Sequence, residues 1–392
     1  MMLTLIKNGE IYGPEYMGQK DILLVGRQIG FLEDTIDAPA NFVEMEVIDA
    51  SGQIVVPGFI DAHVHIIGGG GEGGFKTRTP EIQLTDATLA GITTLVGVIG
   101  TDGTTRTMPA LIAKARALEE EGISCFVHTG SYHVPVKTLT GKVEDDLILI
   151  DKIIGVGEIA IADHRSSQPT AAELAKLASQ ARNGGLLSGK GGIVNMHVGD
   201  SLNQLKVIEE VVETTDIPIT QFYPTHINRN PHVFKAGLLY AKKGGYIDFT
   251  TSTVKKFLEE GEVKASTAIK MAIEGGVDIN QITLTSDGQA SLPDFDDDGK
   301  LRGLGIGTCM SLYDSVVDAI LVDGVTTADA MRVVTENPAN ILKLAKKGRL
   351  KAGNDADIII MDKETFEIDT VIAMGQIMVK DGAAVVKGIF ER

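Results

Sequence analysis

The chain has 392 residues, 43% hydrophobic and 23% charged, with a formal net charge of −17. That length suits one large α/β barrel or two domains, and the composition is that of an ordinary folded protein. The negative balance argues against nucleic acid as a partner, and no run approaches the ~20 apolar residues of a membrane span.

Cys125 and Cys309 are the only cysteines and imply no disulfide framework. The opening Met1-Met2-Leu3-Thr4-Leu5-Ile6 is too short an apolar run for a signal peptide, so a cytoplasmic setting is expected.

Residues 1–56 read as short strands at 3–7, 21–25 and 29–32, with a hairpin turn at Asn8-Gly9. Then come eight apolar, β-rich segments at 59–65, 93–100, 123–130, 156–163, 192–199, 217–226, 246–252 and 282–288. The pieces between them carry apolar residues at helical spacing, as in Leu111, Ala115 and Leu118. Alternating β and α segments predict a parallel sheet, and eight units over this length predict a (β/α)8 TIM barrel across 57–345. An open doubly wound sheet fits less well, because no Gly-x-Gly-x-x-Gly follows the first strand. Residues 346–392 return to short strands at 357–361, 370–373 and 376–379, with a turn at Asp381-Gly382. Neither end can bury much apolar surface alone, so both are expected to build one small β-sandwich domain, 1–56 with 346–392.

Active sites of TIM barrels sit at the C-terminal strand ends. The first segment ends His63-Val64-His65, and side chains at i and i+2 of a strand share a face, so both imidazoles can converge on one point. Gly68-Gly69-Gly70-Gly71 follows with little side-chain bulk. The fourth segment carries Glu158 and runs into Asp163-His164-Arg165, the fifth holds His197, the sixth ends at His226 and the eighth at Asp287. Four of the eight histidines therefore lie where a metal site needs them. His128, His133, His164 and His232 read as structural or surface residues.

Pro57-Gly58-Phe59-Ile60-Asp61-x-His63-x-His65, the histidines of strands five and six, Asp287, Thr335-Glu336-Asn337-Pro338-Ala339 and the stretch from Lys347 to Asp357 together resemble the amidohydrolase superfamily. Within it the chain is similar to the isoaspartyl (β-aspartyl) dipeptidases. That likeness rests on Gly68 to Glu72, Thr129-Gly130-Ser131-Tyr132-His133-Val134-Pro135, Asp163-His164-Arg165-Ser166, His226-x-Asn228-Arg229-Asn230 and Ser286-Asp287-Gly288. The resemblance implies two divalent ions, zinc above all, joined by a bridging carboxylate and a bridging hydroxide. His63, His65 and Asp287 would hold one ion, and His197 and His226 the other. Asp287 would also act as general base and acid, and Tyr132 would bind the oxyanion. Glu72 would take the ammonium of a dipeptide, and Arg165, Arg229 and Ser291 its carboxylates. A homo-oligomer, up to an octamer, is implied as well.

One position departs from the family pattern. Where members carry a carboxylated lysine on strand four, this chain has Glu158, and Lys152 lies too early to serve. Glutamate needs no carbon dioxide to become a carboxylate, but it is roughly 3–4 Å shorter. The glycines of Gly155-Val156-Gly157 offer the strand a way to move inward, so Glu158 is expected to bridge the metals. Structural alternatives stay open: a salt bridge from Glu158 to Arg165, ion pairs for Arg165 and Arg229, or Tyr132 as a barrel cap. Two other functions also stay open, hydrolysis of a cyclic amide or N-acyl-D-amino acid, and a non-catalytic scaffold.

Overall fold

The computed structural model describes residues 3–37, 44–295 and 301–391; the rest, including Met1, Met2 and Arg392 of the terminal segments, lie outside the described residues. Five strands come first: β1 (Leu3–Tyr12), β2 (Tyr16–Val25), β3 (Gln28–Glu33), β4 (Met45–Asp49) and β5 (Gln53–Pro57). The barrel strands follow as β6 (Phe59–Val64), β7 (Ile92–Gly97), β8 (Ser124–Thr129), β9 (Ile153–Ile161), β10 (Ile193–Val198), β11 (Phe222–Thr225), β12 (Ile247–Thr250) and β13 (Ile282–Thr285). Each of the eight predicted segments overlaps one of these strands, although β7 begins one residue and β9 three residues before the predicted start.

β6 to β11 form one parallel ladder in chain order, and β12 pairs parallel with β13. One seam between the two is joined by a parallel bridge of Val64 and Gly288, with His65 N donating to Gly288 O at 2.9 Å. At the other seam Ile227 N donates to Asp248 O at 3.2 Å, and Thr225 Oγ1 donates to the Asp248 carboxylate at 2.6 Å. The protein is thus an α/β barrel of the expected class.

Helices wrap the outside by burying one stripe. In Met108–Glu121, Leu111, Ala115 and Leu118 are buried one or two turns apart, and Thr107 caps the start by accepting from Ala110 N. The sixth strand is shorter than predicted, because Pro218 cannot donate to a ladder and Ile219–Gln221 form a 3-10 turn.

A hairpin, β14 (Ser291–Phe295) with β15 (Leu301–Ile306), follows the last barrel strand. The chain then ends in β16 (Ile358–Asp362), β17 (Ile368–Ala373), β18 (Gln376–Lys380) and β19 (Ala383–Ala384). Both termini build a single nine-stranded sheet, in which β5 pairs antiparallel with β16. Ile6, Ile11, Ile22, Val55, Ile358 and Ile372 form its apolar cluster.

The two predicted turns have different outcomes. Asp381 (φ 51°) and Gly382 (φ 70°) do join β18 to β19 as a two-residue turn. Asn8-Gly9 is not a turn: it lies inside β1, where Asn8 has φ 62° and the register with β2 gains one residue between Ile6 and Gly9. The left-handed conformation that suits Asn to a turn here serves a β-bulge, fixed by Asn8 N donating to Asp21 Oδ1 at 2.8 Å.

Candidate active site

The strand ends bring six side chains to one buried point. His63 lies on β6 with His65 just beyond it, Glu158 on β9, His197 on β10, His226 just past β11, and Asp287 two residues past β13. Glu158 is central and 1% exposed. Its Oε2 is 3.3 Å from His63 Nε2, 3.3 Å from His197 Nδ1 and 3.9 Å from His226 Nε2, while Oε1 is 3.5 Å from His65 Nε2. Asp287 Oδ1 is 3.2 Å from His65 Nε2 and 3.7 Å from His63 Nε2.

Buried polar atoms almost always have hydrogen-bond partners. Here His63 Nε2, both Glu158 oxygens and Asp287 Oδ1 have none among the described residues, although they face one another. Atoms of His63, His65 and Asp287 lie within 4.8 Å of one another, as do those of His63, Glu158 and His226. Imidazoles and carboxylates with such atoms turned inward fit a divalent cation.

The electrostatics of the metal-free cluster divide: burial lowers His63, but Glu158 and then Asp287 outweigh it and raise it to about 9, and Asp163 and Glu158 likewise outweigh burial and raise His197. Burial raises the Glu158 carboxyl, but the charge of His63 and the close imidazoles of His197 and His226 hold it well below the usual range. Burial is likewise outweighed at Asp287, where His65 leads the lowering to about 2. Burial and the neighbouring His197 bring His226 down to about 3, the neutral form a metal needs.

Each of three imidazoles is oriented through its far nitrogen. His63 Nδ1 meets Asn195 Oδ1 at 3.1 Å, His226 Nδ1 meets Thr250 Oγ1 at 2.7 Å, and His197 Nε2 meets Asp163 Oδ2 at 3.1 Å. That leaves the other nitrogen of each turned toward Glu158.

A bulge brings Glu158 to the centre. Val156 pairs with Val194 but Ile159 with Met196, so β9 carries one extra residue at 157–158. Gly157 has φ 143°, and a Cβ there would stand 2.7 Å from Asn195 O. A Cβ on Gly100, at the end of the second barrel segment, would meet His65 Cε1 at 2.9 Å and Glu158 Oε1 at 3.1 Å. Gly157→Ala should therefore cost about 1–3 kcal/mol of stability. Denaturant unfolding of the metal-free protein measures it, and an unchanged midpoint would contradict the steric argument. Lys152 points elsewhere, with its Nζ 2.6 Å from Glu119 Oε1.

A cavity of about 500 Å³ opens above the cluster, and Glu72, Tyr132, Arg165, Arg229 and Ser291 all border it. Tyr132 Oη lies 3.0 Å from His197 Nδ1. Arg165 donates from Nε and Nη2 to Asp163 at 3.0 and 2.7 Å and from Nη1 to Glu72 at 3.2 Å, so its ion pairs run there and not to Glu158. Arg229 donates to Glu262 Oε2 at 3.2 Å and lies 3.6 Å from Asp287 Oδ2.

Asn195, Thr250, Glu262 and Gly100 were not singled out from the sequence, and Asp163 was named at the end of the fourth segment but given no role. Only Asp163 carried a legible signal, a carboxylate just past a barrel strand. The other histidines stay outside the cluster: His128 is buried against Gly155, while His133 and His232 meet backbone carbonyls of Arg165 and Asp200.

The Amidohydrolase family pattern matches residues 54–378. A β-aspartyl dipeptidase from Fervidobacterium islandicum AW-1, solved in complex with a β-Asp-Leu dipeptide, is similar at 44% identity and TM-score 0.89 over 98% of each chain. Dihydropyrimidinase from Brevibacillus agri NCHU1002 shares the fold, with TM-score 0.68 and 16% identity over 99% of this chain and 97% of its own. Dihydroorotase of Lactobacillus johnsonii is 23% identical across 93% of this chain and 90% of its own. Members of this family use a divalent metal centre, for which the cluster supplies ligand groups. By sequence pattern, barrel and strand-end cluster together, the chain belongs to the amidohydrolase family.

Proposed function

We propose that the protein hydrolyses β-aspartyl (isoaspartyl) dipeptides with two divalent ions, zinc first among the candidates, at the four-histidine cluster. The observation that carries this reading is the 44% identity over 98% of the chain to a β-aspartyl dipeptidase complexed with β-Asp-Leu. The cavity supports it, since Arg165, Arg229 and Glu72 offer two cations and one anion to a zwitterion with a second carboxylate.

In this reading His63, His65 and Asp287 would hold one ion and His197 and His226 the other, and Glu158, whose oxygens face both pairs, would offer its carboxylate to each. When bound, the ions supply Lewis acidity, polarising the amide carbonyl and lowering the pKa of water from 15.7 towards ~7. Asp287 takes a proton from the attacking water and passes it to the leaving amine. Tyr132 donates a hydrogen bond to the oxygen that becomes negative. Glu72 holds the α-ammonium, and Arg165, Arg229 and Ser291 hold the carboxylates. The reading extends to a homo-oligomer as large as an octamer and to a cytoplasmic setting. Among the described residues no helix is long and apolar enough to cross a membrane.

Amine release from β-Asp-Leu by the metal-loaded protein is the test, with kcat/KM of about 10⁴ M⁻¹s⁻¹ or more expected. The dihydroorotase likeness favours a second reading, ring opening of a cyclic amide, and opening of dihydroorotate without dipeptide cleavage would establish it. A protein that bound no metal and turned over neither would be a scaffold.

The orienting partners give a separate prediction. Asn195→Ala frees His63 Nδ1, and metal affinity should fall about 10–100-fold by chelator competition. Unchanged affinity would remove Asn195 from the site.

A further inference from the structure

Arg106 lies outside every motif above, in the turn that leads into the helix Met108–Glu121. It is 7% exposed, and its guanidinium donates to backbone carbonyls: Nη1 to Ile67 O, Nη2 to Gly69 O at 2.7 Å and to Thr79 O at 3.2 Å. Burying a cation is costly without hydrogen bonds, and although Nε has no partner among the described residues, the three bonds from Nη1 and Nη2 fix where those carbonyls stand. They belong to the two ends of one loop, residues 67–79, which leaves β6 and returns to Thr79.

The same loop base is tied further. Gly69 N donates to Thr79 Oγ1 at 2.7 Å, Gly70 bridges Arg78, and Gly68, at φ 77°, packs against Thr79 O and the Arg106 fork with no room for a Cβ. Beyond the base, Glu72 borders the cavity and accepts from Thr101 Oγ1 at 2.9 Å and Arg165 Nη1 at 3.2 Å. Gly70, at the base, lies against Ser291.

We infer that Arg106 is a positioning residue for the ammonium end of the substrate, because its fork fixes the base of the 67–79 loop and with it the place of Glu72. The inference rests on the β-aspartyl reading above. Lysine cannot substitute, since a shorter point charge cannot span three carbonyls held by a planar fork.

The test compares β-Asp-Leu with N-succinyl-leucine, which keeps the amide and both carboxylates but lacks the ammonium. In metal-loaded Arg106→Lys, KM for β-Asp-Leu should rise about tenfold with kcat within about threefold. The inhibition constant of N-succinyl-leucine and the bound metal should stay at their parent values. Arg106→Met should shift the same KM further. In a Glu72→Gln background the effect of Arg106→Lys should disappear. Equal weakening of both ligands, a loss confined to kcat, or failure of both Arg106 variants to fold would overturn the inference. If the unsubstituted protein did not cleave β-Asp-Leu, the function reading and this inference would fall together.

Discussion

Asp287→Asn should lower kcat on β-Asp-Leu by about 10²–10⁴-fold, the range for loss of a general acid–base group, with KM changed only a few-fold. The side chain is nearly isosteric, so the fold should survive. What changes is the ability to accept a proton. Asp287 is held as a carboxylate, at about 2, because His65, His226 and His63 outweigh the cost of burial. Its two oxygens face different ways: Oδ1 lies 3.2 Å from His65 Nε2, and Oδ2 lies 3.6 Å from Arg229 on the cavity wall. One oxygen can therefore serve a metal while the other handles the proton. Steady-state kinetics at saturating metal, with metal content measured on the same sample, separates the two roles. A loss below tenfold in a fully loaded variant would remove Asp287 from proton transfer.

Glu158→Ala should leave a folded protein that no longer retains both ions. Four imidazoles converge within 3.9 Å of this carboxylate, and among the described residues no other carboxylate lies within 4.0 Å of both the His63–His65 pair and the His197–His226 pair. Loss of a group that merely orients a ligand weakens metal binding about 10–100-fold, so loss of a bridging ligand should exceed 100-fold. Elemental analysis after dialysis should find one metal or none per chain, with β-Asp-Leu turnover lost in parallel. Activity of the parent protein should not respond to added bicarbonate, because Glu158 needs no carboxylation. A fully metallated Glu158→Ala protein would show that Glu158 is a bystander.

The strand-end histidines were legible because two rules act on the sequence directly. Period-two alternation puts His63 and His65 on one face, and a barrel of parallel strands gathers its C-terminal ends. What escaped the sequence depends on register between strands. Asn195 meets His63 across 132 positions, and Thr250 meets His226 only because β12 lies next to β11. Glu262 sits in Glu259-Glu260-Gly261-Glu262, which looks like a solvated acidic run, yet it is 6% exposed and bound to Arg229. The glycines of 155–157 suggested an inward shift of the strand, but that it takes the form of a bulge at 157–158 follows only from the pairing with β10. Asn8-Gly9 shows the converse limit, since one conformational preference serves a turn or a bulge and only the neighbouring strand decides.

The most direct test of the centre is a crystal structure of the zinc-loaded protein with anomalous data collected above the zinc edge. Two anomalous peaks are expected, roughly 3.5–4 Å apart. One should lie within about 2.0–2.2 Å of His63, His65 and Asp287 and the other of His197 and His226, with one Glu158 oxygen on each. A single peak, or Glu158 turned away from both, would contradict a binuclear centre bridged by an ordinary glutamate.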